Sequence, residues 1–533
     1  MGSNTSKQER VVTASASSSR TVSDSDSESF NEKHDYSSRP QDYSKLYAKY
    51  LRNLTIKDND NDNDDGDNGD TGDDITDPFA GNPLSIGIIN RWEKNLLSKP
   101  KDLLAQAAFA KNSIESIIAK SDVKTLLKDQ YLFNVSVKTI GSPSFYNNQK
   151  SSGRCWIFAS SNVFRTHVIN NYNLSPDKFQ LSQSYLFFYD KLEKANFFLE
   201  TVLETHEEDL DSRLIQYLLS SPVGDGGQWD MIVNLVNKYG LVPHEFFPDN
   251  AQAISSSKLN YILTEKLREF ALTLRDLKKQ EAPELFIRIA KLVMTNEVFN
   301  IISLALGTPP KATDTFTWEF VDKDGNYKSF ETNPIDFYKN HVKYDAEQHF
   351  SLIHDPRNEF DKLYTVDKLN NIYGGKPIEY VNTEIDEIKR VAIKMLKDDE
   401  PIFFGSDVGK FGDRVTGVLD TTAYDYDLGF GIQLGISKAE RLRTGSSQMT
   451  HAMVITGVHL DPVTGKPIRW KIENSWGDEV GDKGYFVMTD EWFNEYVFQI
   501  VTNKKYASKK STQVWKSKEF VTLPYYDPMG ALA

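Results

Sequence analysis

One cysteine, Cys155, occurs among 533 residues, so no disulfide can form within the chain. Small secreted domains lean on disulfides, and their absence here favours a reducing compartment, with the cytoplasm as the expected location. No run of 18 or more apolar residues occurs, so no membrane span is expected. The N-terminus has no apolar stretch of the kind a secretory signal needs. There is no internal repeat. Basic residues are outnumbered, 62 against 76 acidic, for a net charge of −14. Residues 1–80 hold 17 acids and nine bases, so a net of −8 lies in that segment and the rest of the chain is only mildly acidic. This balance gives nucleic-acid binding no support.

The segment 1–84 reads as a disordered, acidic and Ser-rich extension. Ser15 to Ser19 is nearly all serine, Ser23 to Ser29 alternates serine with acids, and 58–77 is dominated by Asn, Asp and Gly. Such composition buries too little apolar surface to offset chain entropy. The Asp-Asn alternation has the ligand chemistry of a Ca²⁺ loop but lacks the closing bidentate Glu and the flanking amphipathic helices. That segment is expected to be a solvated linker, and no metal or organic cofactor is expected for the chemistry that the chain's motifs carry. Met1-Gly2-Ser3-Asn4-Thr5-Ser6 fits the N-myristoylation pattern at Gly2, although one acyl chain holds a membrane only marginally.

Order is expected from about residue 85. Helical periodicity runs over 86–110, with Trp92, Leu96 and Leu97 on one side, then over 155–171, 181–205 and 230–239. A long, mostly helical stretch over 259–306 is broken near Pro283. Asp324-Gly325 between two aromatic-rich runs signals a hairpin. From Pro401 onward the pattern is strands: 402–404, 452–458, 468–473, 485–488 and 496–501. An expected extended segment covers 135–145.

Four motifs carry chemistry. Gln149-Lys150-Ser151-Ser152-Gly153-Arg154-Cys155-Trp156 opens a helix, Thr450-His451-Ala452-Met453 opens a strand, and Glu473-Asn474-Ser475-Trp476-Gly477 follows one. A thiol at a helix N-terminus is stabilised as thiolate by the helix dipole and by a neighbouring imidazolium. His451 would take the thiol proton and return it to the leaving amine. His167, His244 and His459 are its rivals. His167 lies too far along the Cys155 helix, His459 precedes an Asp-Pro turn, and His244 has no strand to fix it. Asn474 would accept from the imidazole and fix its tautomer, and Trp476 would cover that hydrogen bond. Gln149, with the Cys155 backbone N–H, would donate to an oxyanion. In the fourth motif, Gly224-Asp225-Gly226-Gly227-Gln228, Gly226 and Gly227 would let a substrate backbone approach closely, although a Gly pair is as often a plain loop.

Gln, Cys, His and Asn in that order are the parts of a papain-type thiol hydrolase, with the nucleophile on a helical half and His and Asn on a β half. The expected fold is therefore α+β, a papain-like two-subdomain cysteine peptidase with a helical half, a β-barrel-like half and a large, mainly helical insertion. The long Cys155-to-His451 separation calls for that insertion. The expected organisation is extension 1–84, helical half 85–244, insertion 245–400, β half 401–522 and C-terminal arm 523–533.

More specific strings, LSQSYLFFYDKLEKAN over 181–196 and DPMGALA over 527–533, make the chain resemble the bleomycin hydrolase family, fungal members included. The resemblance implies an aminopeptidase of broad specificity that acts on peptides with a free N-terminus, and also on bleomycin and homocysteine thiolactone. It implies a homohexameric ring whose C-terminal arm enters the cleft, so that the carboxylate of Ala533 pairs with the substrate ammonium group. Some relatives in that family bind nucleic acid. Two alternatives stay open at this point: a nucleic-acid-binding or scaffold ring that does not rely on catalysis, and an ordinary papain-like endopeptidase.

Overall fold

The computed structural model describes residues 83–123, 131–139 and 147–531. Gly2, nearly all of the 1–84 extension and Ala533 lie outside the described residues. The chain divides into two units, Met1–Glu93 and Lys94–Ala533. In the first, residues 86–93 begin a helix, Ile86–Leu97, on which Trp92, Leu96 and Leu97 are exposed. The expected single helix over 86–110 is two, because Pro100 opens a second one, Pro100–Phe109.

In the second unit, the helix Cys155–Tyr172 is buried along nearly its whole length, and it ends where Asn173 turns left-handed at φ 50°. The helix Gln183–Glu204 starts where the Ser182 side chain accepts from the Tyr185 N–H. It packs against Cys155–Tyr172, against Trp229–Tyr239 and against two long helices, Ser257–Lys279 and Glu284–Leu306. Those two are separated at Pro283, which also fixes the N-cap of the second. The helix Glu284–Leu306 is long and apolar enough, by length and composition alone, to cross a membrane. It turns Ile287, Met294, Val298 and Ile302 into the core and leaves Leu285, Phe286, Ile289, Leu292 and Val293 exposed. The Asp324-Gly325 hairpin pairs Phe316–Val321 with Tyr327–Thr332.

The β part is a mixed sheet of 12 strands. Its centre is the strand His451–Leu460, antiparallel to Ile402–Ser406 on one side and to Pro467–Glu473 on the other. Beyond Pro467–Glu473 come Tyr485–Thr489, Val418–Leu419 and Gly412–Asp413. Beyond Ile402–Ser406 come Val497–Asn503, His349–Ile353, Tyr380–Asn382, Leu363–Val366 and Phe520–Leu523. Three of these strands fall within 245–400, so that stretch is not mainly helical throughout. Its two long helices end at Leu306, and its later part adds strands to the sheet that carries His451 before one more helix, Ile385–Lys397. The reason is visible in the burial: every residue of His349–Ile353 and of Tyr380–Asn382 is buried. A short run buried on both faces has no helical period to read. The architecture is α+β and papain-like.

Candidate active site

The turn that presents Cys155 is held from three directions. The Gly153 N–H donates to Asp225 Oδ2 at 3.0 Å. Arg154, fully buried, makes a two-pronged ion pair with Asp249 at 2.8 and 3.0 Å. The Ser152 hydroxyl donates to the Gln149 carbonyl at 2.6 Å. Burial by itself would raise the Asp225 carboxyl, but Lys191, Ser256 and the Gly153 N–H hold it well below the usual carboxylate range. Asp225 therefore stays ionised and fixes the residue two places before the thiol.

His451 is the first residue of the central strand, and Asn474 follows the last residue of the neighbouring one. The antiparallel pairing of Val454 with Glu473 brings them side by side. His451 Nε2 lies 2.9 Å from Asn474 Oδ1. With the amide oxygen as acceptor, Nε2 carries the proton and Nδ1 is left as the basic nitrogen. The indole of Trp476 packs on the imidazole with centroids 4.9 Å apart. The Ala452 N–H, one residue past His451, donates to Cys155 Sγ at 3.4 Å, so the start of the central strand touches the thiol. Gln149 bridges the two loops. Its Nε2 donates to the Ser152 carbonyl at 2.7 Å, its Oε1 accepts from the Ser475 hydroxyl at 2.7 Å, and its backbone N–H donates to the Ser475 carbonyl at 2.8 Å. One of the two Nε2 hydrogens is thereby engaged.

The electrostatics differ from the thiolate that the helix N-terminus suggests. Burial pushes the Cys155 thiol up to about 12, and the N–H groups of Ala452, Trp156 and Cys155 itself only partly oppose this. Burial pushes the His451 imidazole down to about 4; the Asn474 hydrogen bond opposes that shift and the Arg414 charge adds to it. Desolvation thus favours the neutral thiol and neutral imidazole in this closed arrangement.

The rival histidines are elsewhere. His167 faces Glu400 at 3.4 Å and Tyr344, His244 sits in the short turn His244–Phe246, and His459 lies on the same strand as His451, eight residues along. Gly227 lies against Trp156, where a Cβ would fall 2.5 Å from the indole. Packing alone thus requires glycine at 227. Gly227 and Gln228 also line a small pocket with His451, Ala452 and Met449. The Gly226 carbonyl accepts from Lys194 at 2.6 Å.

The C-terminal arm reaches this region. Asp527 pairs with Arg357 at 2.8 Å, Met529 is fully buried, and its carbonyl accepts from Tyr380 at 3.2 Å. The Ala531 carbonyl then accepts from Gln228 Nε2 at 3.2 Å. Ala533, two residues further, lies outside the described residues.

Sequence reasoning missed the supports of these groups. Arg165, on the Cys155 helix, pairs with Glu473 at 2.7 Å with both side chains essentially unexposed. Asn147 donates to Glu473 and to the Asn474 carbonyl. Asp407 receives the hydroxyls of Ser447 and Thr450 at 2.7 and 3.3 Å, bracing the segment that leads into His451. Asp225, Glu473, Ser152, Arg154, Thr450 and Ser475 carried a signal by lying inside the motifs themselves; Arg165, Asn147, Asp249 and Asp407 carried none. Among the described residues no group of three or more His, Cys, Asp or Glu is arranged to hold a metal ion.

Two buried histidines, His349 and His451, and the partly buried His354 give this fold a pH dependence. Burial lowers His349 and His451 to about 4 and His354 to about 3. For His349 the tautomer is neutral by construction: Asn503 Nδ2 lies 3.0 Å from Nε2 and the Asp345 carbonyl 2.8 Å from Nδ1. The unfolded chain takes up these protons near pH 6.5, and the folded chain refuses them until about pH 4. Their stabilisation is complete above pH 6.5 and is lost as pH falls towards 4, on the order of 3 kcal/mol for His349. The melting temperature should be flat from pH 7 to 8 and fall steeply between 6.5 and 4.5. His349→Gln should flatten that fall, and an unchanged slope would show that His349 is not a contributor.

Residues 83–530 match the Peptidase C1-like family. The chain is 41% identical over 456 residues to "Cysteine proteinase 1, mitochondrial" of Saccharomyces cerevisiae, a match covering 84% of this chain and 93% of that protein. It is 42% identical over 449 residues to "Bleomycin hydrolase" of Homo sapiens, covering 83% and 96%. Among solved structures, pepw from Lactobacillus rhamnosis HN001 superposes with a TM-score of 0.80 at 40% identity, covering 85% of this chain and 99% of that one.

Proposed function

This chain belongs to the Peptidase C1-like family and is a cysteine peptidase of the bleomycin hydrolase type; on that premise we propose that it is an aminopeptidase of broad specificity, with Cys155, His451, Asn474 and Gln149 as its catalytic set. The observation that carries the assignment is the meeting of three remote motifs: the Ala452 N–H on Cys155 Sγ and His451 Nε2 on Asn474 Oδ1.

In this reading the Cys155 proton passes to His451 Nδ1 as sulfur attacks the peptide carbonyl. Burial favours the neutral forms of both groups, and charge separates as the proton moves. The oxyanion is received by the second Gln149 Nε2 hydrogen and the Cys155 backbone N–H. The imidazolium then protonates the leaving amine, the C–N bond breaks and a thioester remains. Water, with His451 as base, releases the acid and restores the thiol.

Selection of free N-termini is assigned to the C-terminal arm. Its support is the anchored path through Asp527, Met529 and Ala531 to Gln228, beside Gly227. From there the carboxylate of Ala533 would pair with the substrate ammonium group, and a charge-assisted hydrogen bond would favour free over acetylated ends. Gly226 and Gly227 would line the acyl side. The test is a panel of fluorogenic peptides with free and acetylated N-termini, run on the full chain and on a chain ending at residue 530. The full chain should cut only free ends, and the truncated chain should lose that preference and accept blocked peptides. An unchanged preference after truncation removes the arm as selector. Activity on acetylated peptides by the full chain would favour an endopeptidase.

The substrates extend in this reading to bleomycin and homocysteine thiolactone, the location is cytoplasmic, and the order of the modules is that read from the sequence. The chain is further assigned to a homohexamer. The support is the exposed apolar row Leu285, Phe286, Ile289, Leu292 and Val293 on a single helix, a surface that copies of the chain would cover. Light scattering that finds only a 60.7 kDa species at micromolar concentration would remove the hexamer from this reading.

A further inference from the structure

The indole of Trp476 that packs on His451 carries a second group. The Arg414 guanidinium lies over the same ring, 4.7 Å from its centroid. Imidazole and guanidinium therefore stand within roughly 10 Å of each other, each about 5 Å from one indole. Arg414 is exposed, and among the described residues no carboxylate pairs with it. Its position is set by the loop that bears it. Asp413 Oδ1 accepts from the N–H groups of Val415 and Thr416, the Gly481 N–H donates to the Val415 carbonyl at 3.1 Å, and the Val487 N–H donates to the Gly417 carbonyl at 2.8 Å. The cation is thus mounted on a braced loop beside the general acid rather than on a free tail.

The mechanism gives this position a meaning, so the argument rests on the peptidase reading above. His451 protonates the leaving amine, so the portion of substrate beyond the scissile bond runs past the imidazole and onto the face of Trp476. The acyl side is elsewhere, towards Gly227, Gln228 and Ala531. An extended residue spans about 3.3–3.6 Å, so a carboxylate one or two residues past the scissile bond comes within reach of the guanidinium. We propose that Arg414, laid over Trp476, forms a leaving-side subsite that recognises a carboxylate on the released part of the substrate. The carboxylate has two sources: the side chain of Asp or Glu next to the cut, or the C-terminal carboxylate of a di- or tripeptide.

The test uses matched pairs of peptides, all with a free N-terminal Ala. Ala-Asp-amide against Ala-Asn-amide reads the side-chain source, and Ala-Ala against Ala-Ala-amide reads the C-terminal source. In the native enzyme the acid member of at least one pair should be favoured about tenfold in kcat/KM at low salt, mainly through KM, with the preference shrinking as salt is added. Arg414→Gln should bring that ratio close to one, and Arg414→Lys should retain part of it. The amide members serve as the internal reference. A ratio that survives Arg414→Gln in both pairs overturns the proposal, as does an equal loss on acid and amide, which would place Arg414 behind His451 rather than on the substrate. Calorimetric binding of the same four peptides to Cys155→Ala reads the preference without turnover. A native enzyme that hydrolyses none of them sinks the aminopeptidase reading, while the binding ratio still decides the subsite.

Discussion

Cys155→Ala should leave a folded protein that hydrolyses nothing in the peptide panel. The chain has no other thiol, so no second residue can inherit the nucleophile. Loss of a nucleophile from a cooperating set costs on the order of 10⁶ in kcat, which puts the variant below detection. The fold should tolerate the change because one buried sulfur is removed from a helix start that Asp225, Asp249 and Ser152 hold independently. A stability loss of about 1 kcal/mol is expected from the small cavity. Turnover and thermal melting of the same preparation read both effects. Iodoacetamide should label the native chain once and slowly at neutral pH, since the thiol is buried and its pKa is pushed up to about 12. Residual turnover in Cys155→Ala comparable to the native enzyme would end the thiol mechanism.

Arg165→Met should be among the most damaging single changes in the molecule. Arg165 and Glu473 are both removed from water, and each is the other's charge partner. Without the guanidinium, burial, which already raises the Glu473 carboxyl, would be opposed only by the weaker pull of the Lys471 charge. Breaking such a pair from one side costs about 3–5 kcal/mol. Replacing both partners by apolar side chains, Arg165→Met with Glu473→Leu, should recover most of the stability, because the penalty lies in the orphaned charge. Function should not return with it. Glu473 also receives Asn147 and immediately precedes Asn474, so the pair ties the Cys155 helix to the residue hydrogen-bonded to His451. The expected pattern in denaturant unfolding and peptide kinetics is a rescued midpoint with a still depressed kcat. A single Arg165→Met variant that loses less than 1 kcal/mol would show that the pair is not structural.

The elements that the sequence shows clearly are those with a strong local period. The helices over 155–172, 183–204 and 229–239, the break at Pro283 and the five longest strands after residue 401 stand close to where periodicity puts them, while the short strands Gly412–Asp413, Val418–Leu419 and Phe520–Leu523 show no such pattern. The misjudged stretch is 349–382, where the strands are short and buried on both faces and so lack alternation. Trp92, Leu96 and Leu97 suggest a single apolar stripe over 86–110, but Pro100 starts a second helix there. The membrane reading rested on unbroken apolar runs. The helix Glu284–Leu306 is interrupted by Arg288, Lys291 and Glu297, so it holds no unbroken apolar run, yet by length and composition alone it is apolar enough to cross a membrane.

The sequence by itself determined which residue types are present for chemistry and the local structure that bears each: a thiol at a helix start, a histidine at a strand start and an asparagine just past a strand end. These are short-range facts, fixed by capping, turn residues and hydrophobic period within a few positions. Only the tertiary structure decided that Ala452 touches Cys155 across 297 residues and that Arg165 meets Glu473 across 308. It also decided that burial biases the thiol and the imidazole towards their neutral forms and that Arg414 lies over the indole covering His451. The physical reason is that burial and partnership belong to pairs of distant segments. A side chain's charge state depends on which strand becomes its neighbour and how much water that neighbour removes, and no local pattern in the chain encodes either.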